Sequence, residues 1–296
     1  MKKLSETLLL HGTLLSDGAW GTNLQSKGLE TGECPEFWNI KHPEKVKEVA
    51  RDFIQAGSKL VKTNSFGGNR FKLTPYGLEE QVTEINRKAA ALSKEAAGED
   101  VLVLGSVGPT GKMLITEEIT EEQMYEAFKE QAMALAEGGA DVILVETMSD
   151  LDEARIAVQA ASDNTSCEIA CTMTFEKTVE GNYRTMMGIA PSEMIPSLTQ
   201  AGASFIGANC GNGIERMIDV VKEIRAVDTR IPIIIHANAG MPVYEKGNAV
   251  FPETPAEMAG YIPQLLKAGA NIVGGCCGTT PEHLKEISEK LDTPRQ

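Results

Sequence analysis

Residues 254–281 read TPAEMAGYIPQLLKAGANIVGGCCGTTP and hold one complete structural unit. Thr254 followed by Pro255, with Glu257 in the first turn, is a helix start. The hydroxyl caps a free amide, and proline has no amide to leave unpaired. The pattern predicts a helix over Thr254–Lys267. Ala268-Gly269-Ala270 ends it, because glycine takes the left-handed conformation of a helix C-terminus without steric cost. Asn271–Gly274 is a short apolar run, expected to be a strand buried on both faces. Thr280-Pro281 then opens a second helix, Thr280–Leu291, with the same signature.

Working outward, the same joint recurs at Ala56-Gly57-Ser58, Gly138-Gly139-Ala140 and Ala201-Gly202-Ala203. Eight strand-like runs are found: Thr13–Ser16, Lys59–Thr63, Val101–Gly105, Asp141–Val145, Glu168–Met173, Ser204–Ala208, Ile231–Ala237 and Asn271–Gly274. Helical patterns separate them at Pro43–Ala56, Glu80–Ala97, Glu121–Glu137, Asp150–Ala161, Pro191–Gln200 and Gly213–Ala226. Strand and helix alternating eight times predicts an α/β fold, a single-domain (β/α)8 TIM barrel over residues 1–296. No linker or charge block divides the chain.

The 296 residues carry a formal charge of −14, from 42 acidic and 28 basic side chains. Nucleic acid is excluded as an expected partner, since phosphate neutralisation needs clustered Lys and Arg. An acidic membrane surface is disfavoured for the same reason. No run approaches the roughly 20 apolar residues that span a bilayer. The apolar run Leu8-Leu9-Leu10 is too short for a signal peptide. A soluble, cytoplasmic chain is expected, in which six cysteines serve as thiols or metal ligands and not as a disulfide framework.

Long segments follow the strands: Asp17–His42, Asn64–Glu79, Ser106–Thr120, Thr174–Ala190 and Asn238–Glu253. Barrel enzymes place their sites at the C-terminal ends of the strands. Those ends carry Asp17-Gly18-Ala19, Asn64, Glu146, Asn209-Cys210, His236 with Asn238, and Cys276-Cys277. A closed barrel collects them on one rim.

Cys210, Cys276 and Cys277 are the sharpest feature. Cys210 ends one strand and the Cys pair ends the strand two further on, so three sulfurs can converge. Three thiolates with an open fourth position describe a catalytic zinc site. The alternatives are three buried free thiols or a strained Cys276–Cys277 disulfide. Three thiolates on a dication leave a net charge of −1, which suits activation of an incoming thiol better than activation of water. Cys34, Cys167 and Cys171 show no such convergence and are read as core or loop residues.

Asp17 and Glu146 can bind an ammonium group, while the turn Gly18-Ala19-Trp20 offers amides to a carboxylate. Together they would recognise an amino acid; a capping Asp, a solvated Glu or an acid/base pair remain open. His236 is either a fourth metal ligand or a hydrogen-bonded core histidine. His11, His42 and His283 show no constellation. The helix start at Thr279-Thr280-Pro281 keeps a rival reading alive, a barrel enzyme acting on a phosphate substrate.

These motifs resemble the zinc-dependent homocysteine S-methyltransferases, a family that includes the homocysteine module of cobalamin-dependent methionine synthase and betaine–homocysteine methyltransferase. The similarity runs from about Leu8 to Leu291. It rests on Asp17-Gly18-Ala19-Trp20-Gly21, Thr63-Asn64-Ser65-Phe66-Gly67, the Gly105–Gly111 segment, Val145-Glu146-Thr147, Gly207-Ala208-Asn209-Cys210, Asn238-Ala239-Gly240 and the Gly274–Pro281 segment. The resemblance implies Zn2+ on Cys210, Cys276 and Cys277, with homocysteine sulfur as fourth ligand and nucleophile and methionine as product. It implies Asp17, Gly18, Ala19 and Glu146 at the amino-acid end, and Asn209 beside the metal.

Two features depart from the synthase pattern. The folate and corrinoid modules are not in this stretch, so the methyl donor is expected in trans, from a separate methylated corrinoid protein or a small molecule. Arg184-Thr185-Met186-Met187-Gly188 differs from the usual segment, and its two Met side chains are expected to line a softer pocket. That leaves open a zinc-holding partner of a corrinoid complex, acting on another thiol.

Overall fold

The computed structural model describes residues 2–245 and 248–291. The ends of the expected 1–296 domain and two positions of the loop Asn238–Glu253 lie outside the described residues. Eight parallel strands form one sheet: β1 (Leu14–Leu15), β2 (Leu60–Lys62), β3 (Leu102–Val107), β4 (Val142–Met148), β5 (Glu168–Met173), β6 (Ala203–Gly213), β7 (Ile233–Asn238) and β8 (Ile272–Gly275). The ladder runs β1-β8-β7-β6-β5-β4-β3-β2. At the seam between β1 and β2, Lys59 N–H donates to Leu15 O at 2.8 Å. Lys62 N–H donates to the Asp17 carboxylate at 2.7 Å. The sheet is thus a nearly closed (β/α)8 barrel, as the alternation predicts.

Helices follow the strands with the expected punctuation. Thr120 and Thr254 each form a capping box, with Gln123 and Glu257. Asp150 caps the helix Leu151–Asn164. Gly202 and Gly269 close their helices at φ 116° and 119°, a conformation that costs any residue with a Cβ. The helix expected over Thr254–Lys267 is broken at Tyr261 into Pro255–Gly260 and Ile262–Ala268. Pro263 is the reason: it lacks the amide that would bond one turn back.

Alternation along each strand sorts the core. Outward residues such as Val61, Val103, Ile143 and Ile206 pack under the helices. Inward residues, including Leu60, Leu104, Leu144 and Phe205, fill the barrel. The helix Leu4–His11, which the sequence reading does not identify, adds Leu4 and Leu8 to that interior cluster. Each such burial contributes about 1.5–3 kcal/mol. One step nearer the rim, the inward positions turn polar: Ser16, Lys62, Ser106, Glu146, Thr172 and His236, all buried. The site stands on this layer. The long loops above it carry short helices and two hairpins, Glu176–Lys177 with Tyr183–Arg184 and Val243–Glu245 with Asn248–Val250.

A three-cysteine centre on the barrel rim

The strand ends bring three sulfurs together. β6 runs on past Ala208, and its register against β7 shifts between Asn209 and Gly213. Within that irregularity Cys210 takes φ 58°, rare for a residue with a side chain. Cys276 and Cys277 leave the end of β8 and are sewn to β7. Cys276 N–H donates to Ala237 O at 2.7 Å, and Cys277 N–H donates to Asn238 Oδ1 at 3.1 Å. The three Sγ atoms lie within 4.8 Å of one another, with Cys210 and Cys277 3.8 Å apart. Among the described residues, no disulfide joins any of the cysteines.

This set fits a tetrahedral ion. A zinc–sulfur bond of about 2.3 Å sets sulfurs about 3.8 Å apart. Charge points the same way. Thiol donors from Cys276 and Cys277 hold the Cys210 thiol well below its usual range. Hydrogen bonding to Cys210 pushes Cys276 and Cys277 up in return, with burial adding to it. The three cannot all ionise until a cation relieves their repulsion. Among the described residues, no histidine or carboxylate joins this cluster.

Glu146 stands beside the sulfurs on β4. Ser106 Oγ donates to its Oε1 at 2.5 Å. Ser106 is fixed by its own N–H to Thr63 Oγ1 at 2.9 Å, and by Ser65 Oγ donating to its carbonyl at 2.7 Å. Burial raises the Glu146 pKa, while Lys62 and Ser106 pull it back. The next residue, Thr147, takes φ 65° and is held there by Asn209, which also contacts Cys276 Sγ at 3.9 Å.

Asp17 lies deeper than the sequence suggests. It is fully buried, with Oδ2 accepting from Trp20 Nε1 and Lys62 N–H, both at 2.7 Å. Lys62 Nζ is 3.4 Å from Oδ1. Burial raises the Asp17 pKa, and the Lys62 charge opposes it. Lys62, Ser106 and Thr147 are the site residues that sequence reasoning missed. A signal for Lys62 existed: it lies two residues before Asn64 at a strand end. Gly18 has no room for a side chain, since a Cβ would stand 2.8 Å from both Phe53 Cε1 and Thr279 Oγ1. Ala19 N–H donates to Thr279 Oγ1 at 3.0 Å, so this amide of the turn is already paired.

His236 is fully buried, and neither ring nitrogen has a hydrogen-bond partner among the described residues. Burial, then the Lys62 charge, hold its pKa well below the usual value, so the ring is neutral. His283 caps the last helix: its Nδ1 accepts from Thr280 N–H at 3.2 Å, and its Nε2 lies 3.0 Å from Glu253 O. Thr279 Oγ1 donates to Cys276 O at 2.7 Å. The start of that helix is thus filled by its own neighbours, which gives the phosphate reading no support. Met186 and Met187 stand at the surface, 81% and 36% exposed. Cys34, Cys167 and Cys171 are buried away from the cluster.

A (β/α)8 barrel with three cysteines and a carboxylate at its strand ends defines a class of barrel with a candidate metal centre on its rim. The particular family follows from comparison with known proteins: the chain belongs to the Homocysteine S-methyltransferase family, which matches residues 14–291. It is 30% identical over 298 residues to the methionine synthase of Mycobacterium tuberculosis (strain ATCC 25618 / H37Rv). It is 31% identical over 304 residues to that of Mycobacterium leprae (strain TN). These matches cover 95% and 96% of this chain, which spans a quarter (25%) of the length of each relative. In structure it is similar to the metallated form of the homocysteine methyltransferase MmuM from Escherichia coli. The TM-score is 0.80 at 22% identity, covering 97% of this chain and 99% of that one.

Proposed function

We propose that the chain transfers a methyl group onto a thiol held at the three-cysteine centre. Homocysteine is the acceptor to which family membership points, and methionine the product. The observation that carries this reading is the convergence of Cys210, Cys276 and Cys277, three sulfurs within 4.8 Å of one another at the mouth of the barrel. These residues would hold Zn2+. Bound there, zinc would lower the pKa of an incoming thiol below neutral and leave its sulfur electron-rich, which suits attack on a methyl carbon.

The chain's own groups orient the acceptor. Glu146, aimed by Ser106, faces the amino-acid end, and Asn209 holds the Thr147 turn that carries it. Gly18 and Ala19 shape the floor beside Cys276 through Thr279. The rate gain comes from a deprotonated sulfur held in line with the donor carbon. The donor we propose is a methylated corrinoid or a small methyl donor.

Elemental analysis combined with a homocysteine titration tests metal and acceptor together. Methylcobalamin, betaine and S-methylmethionine tested in parallel identify the donor class. One bound zinc per chain and release of about one proton per thiol bound are expected. A chain that binds no metal and no thiol would sink the proposal.

A further inference from the structure

A pair of side chains closes the seam of the barrel at the height of the site. The ladder ends at β1 and β2. Below the rim, Lys59 N–H donates to Leu15 O at 2.8 Å and Ser58 Oγ donates to Ser16 O at 3.3 Å. At the rim the acceptor is no longer a main-chain carbonyl but the Asp17 carboxylate. Lys62 N–H donates to its Oδ2 at 2.7 Å, and Lys62 Nζ lies 3.4 Å from its Oδ1. The two side chains are 6% and 0% exposed.

Asp17 passes this anchor on to both parts of the site. Its Oδ2 also accepts from Trp20 Nε1 at 2.7 Å, which fixes the turn Asp17–Trp20. Its carbonyl accepts from Gly275 N–H at 2.8 Å, one residue before Cys276. A buried carboxylate keeps its charge and its place only with a cation beside it. Burial works against the Lys62 charge, but Asp17, then Glu146 and Cys276, outweigh it and hold the ammonium above its usual range. An apolar side chain at this position would leave Asp17 buried, unpaired and repelled by Glu146 and the sulfurs.

We propose that Lys62 is a positioning residue for the acceptor: as the fixed counter-ion of Asp17 across the seam, it holds Asp17 and the turn Asp17–Trp20 where the acceptor's amino-acid end is received. This rests on the thiol methyl-transfer reading above and keeps homocysteine as the acceptor. Lys62 acts through Asp17 and needs no contact with the metal or the reacting sulfur. Losing the ammonium therefore weakens the grip on the amino-acid end, while the metal still takes a thiol.

Calorimetric titration of the zinc-loaded chain with homocysteine and with 2-mercaptoethanol, a thiol with no amino-acid end, separates these effects. The wild-type chain should bind homocysteine tighter by about tenfold or more. Lys62→Met should remove most of that advantage and leave the affinity for 2-mercaptoethanol and the zinc content unchanged. Lys62→Arg keeps a cation and should retain most of the advantage. Thermal unfolding reads the pair itself. Lys62→Met should lower the midpoint, and adding Asp17→Asn should regain part of the loss, since no buried charge is then left unpaired. An undiminished homocysteine advantage in Lys62→Met, an equal loss for both thiols, or no regain in the double variant overturns the proposal. If Lys62→Met does not fold, Lys62→Arg decides, and loss of the advantage there overturns it. A wild-type chain that binds both thiols alike overturns it without any variant. Failure of both thiols to bind the wild-type chain sinks the transfer reading itself, so the two failures are distinguishable.

Discussion

Thr147 and Asn209 exchange two hydrogen bonds across the barrel rim. Thr147 N–H donates to Asn209 Oδ1 at 2.8 Å, and Asn209 Nδ2 donates to Thr147 Oγ1 at 2.7 Å. This pairing holds a β-branched residue at φ 65°, where it would not rest unaided. One side chain therefore links the carboxylate on β4 to Cys210, its own chain neighbour. Asn209→Ala removes both bonds, and the one from Thr172 Oγ1 as well. Unfolding stability is expected to fall by about 2–4 kcal/mol, from buried groups left unpaired. The acceptor KM should rise while metal content is retained; urea unfolding and steady-state kinetics check both.

Cys276→Ala leaves two sulfurs and a methyl group at the centre. Metal content and methyl transfer should both vanish while the far-ultraviolet circular dichroism stays that of the barrel, because Cys276 N–H still bonds Ala237 O. Elemental analysis and a transfer assay decide it. Full activity in this variant would refute the mechanism.

Gly275 faces the side chain that ties the cysteine turn to the turn after β1. A Cβ at this position would lie 2.2 Å from Thr279 Oγ1. Gly275→Ala must move Thr279, whose hydroxyl bonds both Cys276 O and Ala19 N–H. Metal affinity should drop by about 10–100-fold, the usual cost of disturbing groups behind the ligands. Competition with a chelator of known affinity measures it.

His236 predicts an acid-side loss of stability. The folded chain keeps the ring neutral well below the ordinary value of 6.5, while the unfolded chain protonates at that value. Below 6.5 the unfolded state binds the extra proton, so stability falls by about 1.4 kcal/mol per pH unit until the folded pKa is reached. Above 6.5 this contribution is complete. Asp17 and Glu146, with raised pKa values, act in the opposite direction at low pH. The informative quantity is thus the difference between wild type and His236→Gln in urea unfolding at pH 7.5 and 5.5. Equal pH slopes for the two proteins would count against a neutral buried ring.

Much of the barrel was legible because its signals are local. Glu168–Met173 and Glu121–Glu137 match the expected elements end to end, since an apolar run and a Thr cap announce themselves over a few residues. Strands β4 and β6 run past their expected ends because backbone pairing continues where the sequence turns polar. Those extensions carry Glu146 and Cys210. The left-handed turns at Thr147 and Cys210 left no mark, as neither residue type advertises that conformation.

The sequence by itself determined the alternation of strands and helices and the rim on which the three sulfurs meet. It could do so because periodicity, caps and strand-end positions are properties of short segments. Only the tertiary structure decided that Lys62 turns inward beside Asp17, and that the His236 ring nitrogens find no partner among the described residues. A lysine in a three-residue strand has no facing until the barrel closes around it. The charge a ligand meets is set by neighbours that closure brings from distant parts of the chain.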